Sequence, residues 1–307
     1  MVWMFSYQLY NNIGLKIMLE YSNVNGCYNN IALKDISFHV QKGDFFVIFG
    51  PDDSGKTELI ELFLGIRVPS NGKILYKSEE LSLFSSLKRK NIRFVPDDIL
   101  LIDKKMTAQK YLEQIMKSYK MTNKDKINEY ADFFEIDLTE KLNYMTYETN
   151  KFTAIIGAAI TNPELLILDE PSNFLTQQGV KKLYEFLGNI KKVGTTIIVL
   201  SEHFEETALY CNSYVYLKEG CIEAQDRTNG RFEEYKAVNI LDANHEKLQE
   251  LLGKPIAVND RGKTYLYKES IGNLLEIFLK CNVKDKELLI ERMNMEEVLD
   301  KDYSRWE

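Results

Sequence analysis

DFFVIFGPDDSGKT, residues 44–57, decides the fold. Five apolar residues follow Asp44, the pattern of a short strand buried on both faces of a sheet. The run stops at Gly50 and the pattern turns helical, with Leu59, Leu62, Phe63 and Leu64 recurring on one face. Strand, glycine-bearing loop and helix form the context a phosphate-binding loop requires. Gly50-Pro51-Asp52-Asp53-Ser54-Gly55-Lys56-Thr57 satisfies G-x-x-x-x-G-K-[ST] within it, followed by Glu58. Gly50 and Gly55 let main-chain N–H groups approach phosphate oxygens. Lys56 supplies a cation for the terminal phosphates and Thr57 a hydroxyl ligand for Mg²⁺, while the helix start turns its positive end to the anion. Asp53 is an awkward neighbour. A carboxylate about 4 Å from a phosphate costs roughly 1 kcal/mol in water and about 4 near a protein surface, so its side chain is expected to point outward.

Downstream, LLILDE at residues 165–170 is an apolar strand ending in two carboxylates. Asp169 is suited to hold Mg²⁺ directly or through water. Glu170 is suited to polarise an attacking water as general base. One such pair alone is commonly just two solvated acids; the upstream phosphate loop gives this one a role. His203 follows the strand TTIIVL, residues 195–200, from whose end an imidazole reaches a γ-phosphate. A single histidine there is more often structural.

Strand patterns at 19–24 and 36–40 precede the phosphate loop. Residues 106–150 are polar and helix-rich, with amphipathic segments at 108–119 and 125–134, and 179–190 reads as a crossover helix. A hairpin at 213–225 closes the unit. Alternating strands and helices predict a mostly parallel, doubly wound α/β sheet. Beyond about residue 231 come short mixed elements: strands 256–258, 264–267 and 288–292 and a helix at 271–279. The division is an extension at 1–17, a nucleotide-binding domain at 18–230 with a helical subdomain at about 100–160, and a small α+β domain at 231–307.

The remaining composition narrows the class. Across 307 residues there are 39 basic and 46 acidic side chains, a net charge of −7, with no clustered Lys/Arg patch to hold nucleic acid. Four separated cysteines, Cys27, Cys211, Cys221 and Cys281, predict buried thiols in a reducing compartment, not a disulfide framework or zinc site. Three histidines exclude a His-rich metal cluster. The longest apolar stretch, 152–168, is broken by Thr161-Asn162-Pro163-Glu164, so no membrane span is expected. The first 16 residues lack a signal peptide's basic region and cleavage site.

The phosphate loop, Asp169-Glu170-Pro171 and Ser201-Glu202-His203 stand in the order and approximate spacing of ABC-type ATPase cassettes, and the match covers residues 19 to about 226. The resemblance implies a P-loop NTPase cassette with a helical subdomain, binding ATP and Mg²⁺. Glu170 and His203 would be catalytic, Thr57 and Asp169 would hold the metal, and Tyr28 would stack on adenine. It also implies two partners, a membrane-spanning permease and a second cassette, and a cytoplasmic location at the inner face of the membrane. Residues 92–96 resemble the strand before the family's glutamine loop. Residues 293–298 resemble the accessory domain of drug or lantibiotic exporters, which implies export.

This chain departs from the family where its partner would be met. The Leu-Ser-Gly-Gly-Gln signature falls on Met145-Thr146-Tyr147-Glu148-Thr149, without either glycine. Asp97 replaces the glutamine of the Q-loop, Thr176 the aspartate after Walker B, and Glu58 the second hydroxyl of the phosphate loop. The chain's own nucleotide groups survive while those it offers a partner's site are eroded, which favours pairing with a different cassette over a homodimer. The alternative is a regulatory cassette that binds ATP and barely hydrolyses it. A small-molecule kinase is disfavoured by the Asp-Glu-Pro placement and the helical insertion.

Overall fold

The computed structural model describes residues 16–28, 31–81, 90–99, 105–122, 124–207, 210–227, 236–241, 243–255, 257–259, 262–267, 271–283 and 288–292. The chain divides into two units, Met1–Gly230 and Arg231–Glu307. Of the expected extension at 1–17, residues 1–15 lie outside the described residues.

The larger unit opens with β1 (Ile17–Tyr28), β2 (Ile31–Gln41), β3 (Phe45–Phe49), α1 (Lys56–Leu64), β4 (Asn71–Tyr76), β5 (Glu79–Glu80) and β6 (Ile92–Val95). Helices α2 (Ala108–Ser118), α3 (Asp125–Phe134) and α4 (Tyr147–Ala159) follow. Then come β7 (Leu165–Asp169), α5 (Gln177–Lys192), β8 (Thr196–Ser201), α6 (Phe204–Thr207), β9 (Ser213–Lys218) and β10 (Cys221–Arg227).

The central sheet has the order β10-β9-β3-β8-β7-β6. Its strands β9, β3, β8, β7 and β6 run parallel, and β10 is antiparallel at the edge. Every residue of β3, β7 and β8 is buried, which is why FFVIF and LLIL are unbroken apolar runs: both faces are covered. The carboxyl ends of β3, β7 and β8 lie side by side, where open parallel sheets bind ligands. Gly50 N–H donates to Ser201 O (3.3 Å) and Glu170 N–H to Leu200 O (3.0 Å), tying those ends together.

A second, antiparallel sheet has the order β2-β1-β4-β5. Tyr21 stacks on Phe38 at 4.6 Å and Phe38 on Phe46 at 5.4 Å, joining it to the central sheet, with α1 burying Leu59, Ile60 and Phe63 in the same core. β4, NGKILY, is not legible as a strand locally: it is short, opens on Asn-Gly, and exists through its pairing with β1, from Leu19↔Tyr76 to Asn25↔Asn71. In the helical region Phe134 stacks on Phe152 at 4.3 Å and lies against Phe186 at 4.9 Å, fixing α3, α4 and α5 to one another.

Asp44, 2% exposed, is a structural knot at the start of β3. It accepts from Gln41 N–H (2.8 Å), Asn212 Nδ2 (3.1 Å), Ser213 Oγ (3.3 Å) and both terminal nitrogens of Arg227 (3.3 and 3.0 Å). Asp44→Ala takes the acceptor from these donors and the partner from the Arg227 guanidinium. We expect it to lower unfolding free energy by about 2–4 kcal/mol, read by urea titration; a loss under about 0.5 would refute the knot.

The smaller unit consists of β11 (Lys236–Ile240), α7 (His245–Leu252), β12 (Ala257–Asn259), β13 (Gly262–Tyr267), α8 (Ile271–Cys281) and β14 (Leu288–Arg292). Its antiparallel sheet has the order β12-β13-β11-β14. Val238, Ile240, Leu248, Tyr265, Leu274 and Phe278 form its core. β11 and α7 carry no strong local signal in the sequence; the shared core defines them. All four cysteines are free, but only Cys211 and Cys281 are buried. Cys27 is exposed and Cys221 half-buried, correcting the expectation of four buried thiols: both sit at outward positions of strands in which neighbours face the core.

Candidate functional site

The loop from Gly50 to Gly55 wraps the carboxyl end of β3 before α1 begins. A Cβ at Gly50 would meet Leu217 O at 2.0 Å, so the close approach of β9 excludes any side chain there. Gly55 has φ 104°, in the left-handed region, and is the residue immediately before α1. The turn between β9 and β10 braces the loop from behind, Gly220 N–H donating to Ser54 O at 3.0 Å.

Lys56, 7% exposed, folds its ammonium back over the loop, donating to Gly50 O (2.7 Å) and Pro51 O (3.0 Å) and lying 3.5 Å from Glu170 Oε1. Thr57 Oγ1 donates to Asp169 Oδ2 at 3.3 Å. Thus the phosphate loop and the end of β7 meet in one cavity of about 220 Å³. It is lined by Ile31, Asp52 to Glu58, Asp97, Asp169 and Glu170. Burial pushes the Asp169 carboxyl up to about 6 and the Glu170 carboxyl up to about 7, the Lys56 ammonium opposing both shifts.

The lining fits a magnesium nucleotide. Among its described residues Lys56 is the one cation, facing six carboxylates, so a bare triphosphate would be repelled and a metal-neutralised one accepted. Ser54 Oγ and Glu170 Oε1 are buried without hydrogen-bond partners, as polar atoms awaiting a ligand are. Thr57 and Asp169 supply two oxygens to a metal whose other ligands would be phosphate and water, the usual arrangement for Mg²⁺.

Asp53 is exposed, in a left-handed turn at φ 57°, and is among the residues lining the cavity. Of the expected residues, Tyr28, Gly50, Pro51 and His203 are not among those lining the cavity. Tyr28 lends its hydroxyl to Val68 O at 2.5 Å, and the Arg67 guanidinium covers its ring at 5.3 Å; Ile31 lines the cavity instead. His203 is exposed beyond β8, its main-chain N–H on Ser201 Oγ at 3.0 Å.

Two further participants join the site, Glu202 from the Ser201-Glu202-His203 segment and Lys151 from α4. Glu202 N–H donates to Glu170 Oε2 at 3.3 Å, and its own carboxylate approaches Lys56 at 4.0 Å. Lys151, wholly buried on α4, donates to Asp97 Oδ1, Glu170 O and Asn173 O. A lysine inside the otherwise apolar KFTAIIGAA was its only visible signal.

The signature segment is also rearranged. Thr146 caps α4 by accepting from Thr149 N–H at 3.1 Å. Glu148 turns inward to cap α5, accepting from Thr176 N–H (2.8 Å) and Thr176 Oγ1 (3.1 Å). Two departures from the family pattern, Glu148 and Thr176, thus satisfy each other within the chain. Tyr147 remains 42% exposed, edge-on to the exposed Phe174 at 5.5 Å.

Fold and site define a P-loop nucleotide-binding protein. The ABC transporter family matches residues 33–173. The molybdate/tungstate import ATP-binding protein of Pyrococcus horikoshii is 33% identical over 195 residues, 62% of this chain and 56% of that protein. The chain thus spans little more than half of that relative's length. The ABC transporter ATP-binding protein YxdL of Bacillus subtilis is 27% identical over 66% of this chain and 84% of its own. Among solved structures, cbiO1 of Clostridium perfringens, part of an ABC transporter complex, aligns with a TM-score of 0.60 at 25% identity over 69% of this chain and 89% of its own. The cassette MJ0796, in a dimeric post-hydrolysis state with ADP and Pi, aligns with a TM-score of 0.61 at 22% identity, covering 70% of this chain and all of that one. The larger unit has the fold of an ATP-binding cassette, and its residues 33–173 match the ABC transporter family.

Proposed function

We propose that this chain binds Mg-ATP between residues 50–58 and 169–170 and hydrolyses it as the ATPase subunit of an ABC transporter. It would act on the inner face of the cell membrane, through a separate membrane-spanning permease. The observation that carries this reading is the convergence of Lys56 on Glu170 (3.5 Å) and of Thr57 on Asp169 (3.3 Å) in one acid-rich cavity. Lys56 offsets charge on the γ-phosphate oxygens, Thr57 and Asp169 hold the metal, and Glu170 takes a proton from the attacking water. No helix among the described residues is long and apolar enough to cross a membrane, which is consistent with a separate permease. Calorimetric titration with Mg-ATP and a phosphate-release assay test the reading. Saturable binding removed by EDTA, with phosphate released, supports it; absence of saturable binding overturns it.

Export of drugs or antimicrobial peptides rests on residues 293–298 alone, which lie outside the described residues. Relatives named for a direction or system include molybdate/tungstate import and energy-coupling factor proteins, so the reading extends to the motor and not to its cargo.

The second reading, a binding cassette with little hydrolysis, is favoured by Tyr147 and Glu148 in the signature segment. Paired cassettes place each ATP between one phosphate loop and the partner's signature, so a homodimer repeats the same defect twice. We infer pairing with a different cassette that retains both glycines, giving one competent and one weak site. The bulk of Tyr147, not the capped Glu148, is the main obstacle. Tyr147→Gly with Glu148→Gly should raise the isolated chain's turnover by roughly tenfold or more, although the lost α5 cap lowers its melting temperature. Vigorous activity of the unmodified chain with no gain in the double variant would defeat this pairing.

A further inference from the structure

Lys151 lies on the second turn of α4 and has no exposed surface. Lysine is among the residues least often fully buried, because its ammonium gives up water. Here its three N–H bonds meet three acceptors: Asp97 Oδ1 at 3.2 Å, Glu170 O at 2.8 Å and Asn173 O at 3.2 Å. These acceptors belong to the loop after β6 and the turn after β7. Asn173 Nδ2 adds contacts of 3.4 Å to each oxygen of Asp97, and Tyr147 brings its hydroxyl to Asp97 O at 3.1 Å.

The turn that Lys151 grips is conformationally costly. Glu170 has φ 41° and Phe174 φ 62°, left-handed positions that non-glycine residues hold only when their surroundings fix them. Glu202 N–H holds the carboxylate of Glu170 through Oε2, and Asn173 N–H reaches the Glu170 carbonyl at 3.2 Å. Lys151 adds a charged donor to that same carbonyl. A lysine needed merely to fill space would be served better by methionine, which has similar length and nothing to desolvate.

We propose that Lys151 is a positioning residue for Glu170, locking the 170–173 turn so that Glu170 Oε1 faces Lys56. Asp97 neutralises Lys151 and anchors it. This rests on the reading of Glu170 as the general base, but the lock itself can be measured without added nucleotide.

The test uses the full chain with Lys151→Met, and Lys151→Met combined with Asp97→Asn. The single variant leaves Asp97 beside Asp169 and Glu170 without its cation and is expected to lower the melting temperature. The double variant restores electroneutrality, and with it most of the stability, but not the bond to Glu170 O. Amide hydrogen exchange at Asn173, without nucleotide, should therefore rise roughly tenfold or more in both variants. In the double variant kcat should fall by about tenfold or more below that of Asp97→Asn alone, which keeps Lys151. Parent-like exchange at Asn173 in the double variant overturns the proposal, because Lys151 is then charge balance alone. Glu170→Gln, assayed in parallel, separates the two readings: unchanged turnover there removes the base, whereas lost turnover there with parent-like exchange and kcat in the double variant removes Lys151.

Discussion

Lys56→Ala is expected to lower Mg-ATP affinity by roughly ten- to a hundredfold or more, the largest binding effect of any single substitution in this chain. A hydrogen bond to a charged group contributes about 1.5–3 kcal/mol, and Lys56 offers a triphosphate several. No neighbour can replace it, since it is the one cation among the residues lining the cavity, against six acids. Its ammonium is already aimed, held by Gly50 O and Pro51 O, so little ordering is needed on binding. Isothermal titration measures the loss, with Lys56→Met as a control for the buried stem. Equal affinity in parent and variant would mean that the nucleotide binds elsewhere.

Glu170→Gln is expected to keep Mg-ATP binding within about threefold and to cut ATP turnover by about a hundredfold or more. Glutamine keeps the volume, and its amide oxygen can still accept from Glu202 N–H, but it cannot take a proton from water. The geometry already singles Glu170 out: it is 9% exposed, and its Oε1 lacks a hydrogen-bond donor while lying 3.5 Å from Lys56 Nζ. Asp169, its neighbour, is committed to Thr57. Turnover within about twofold of the parent would move the base to another carboxylate of the cavity, with Asp97 next in line.

The exposed pair Tyr147 and Phe174 shows how the eroded signature holds together. In the family pattern glycines there let a partner's nucleotide approach; here an aromatic contact, the Tyr147 bond to Asp97 O and the Glu148 cap on α5 tie the segment to its own chain. The three departures at 97, 148 and 176 look like separate losses along the sequence. In space they contact one another or one another's neighbours.

The sequence by itself determined the nucleotide loop, the parallel core strands and the two strand-end carboxylates. Those features are written in contiguous residues: a phosphate is gripped by successive N–H groups of one turn, and a strand covered on both faces must be apolar throughout. Tertiary structure alone decided that Tyr28 is covered by Arg67 while Ile31 lines the cavity, that Glu148 caps α5, and that Lys151 is buried against Asp97, 54 residues away along the chain. A carboxylate or ammonium has the same local pattern whether it faces water or a partner. Only packing of α4 against the ends of β6 and β7 removes the water and makes those charges choose each other.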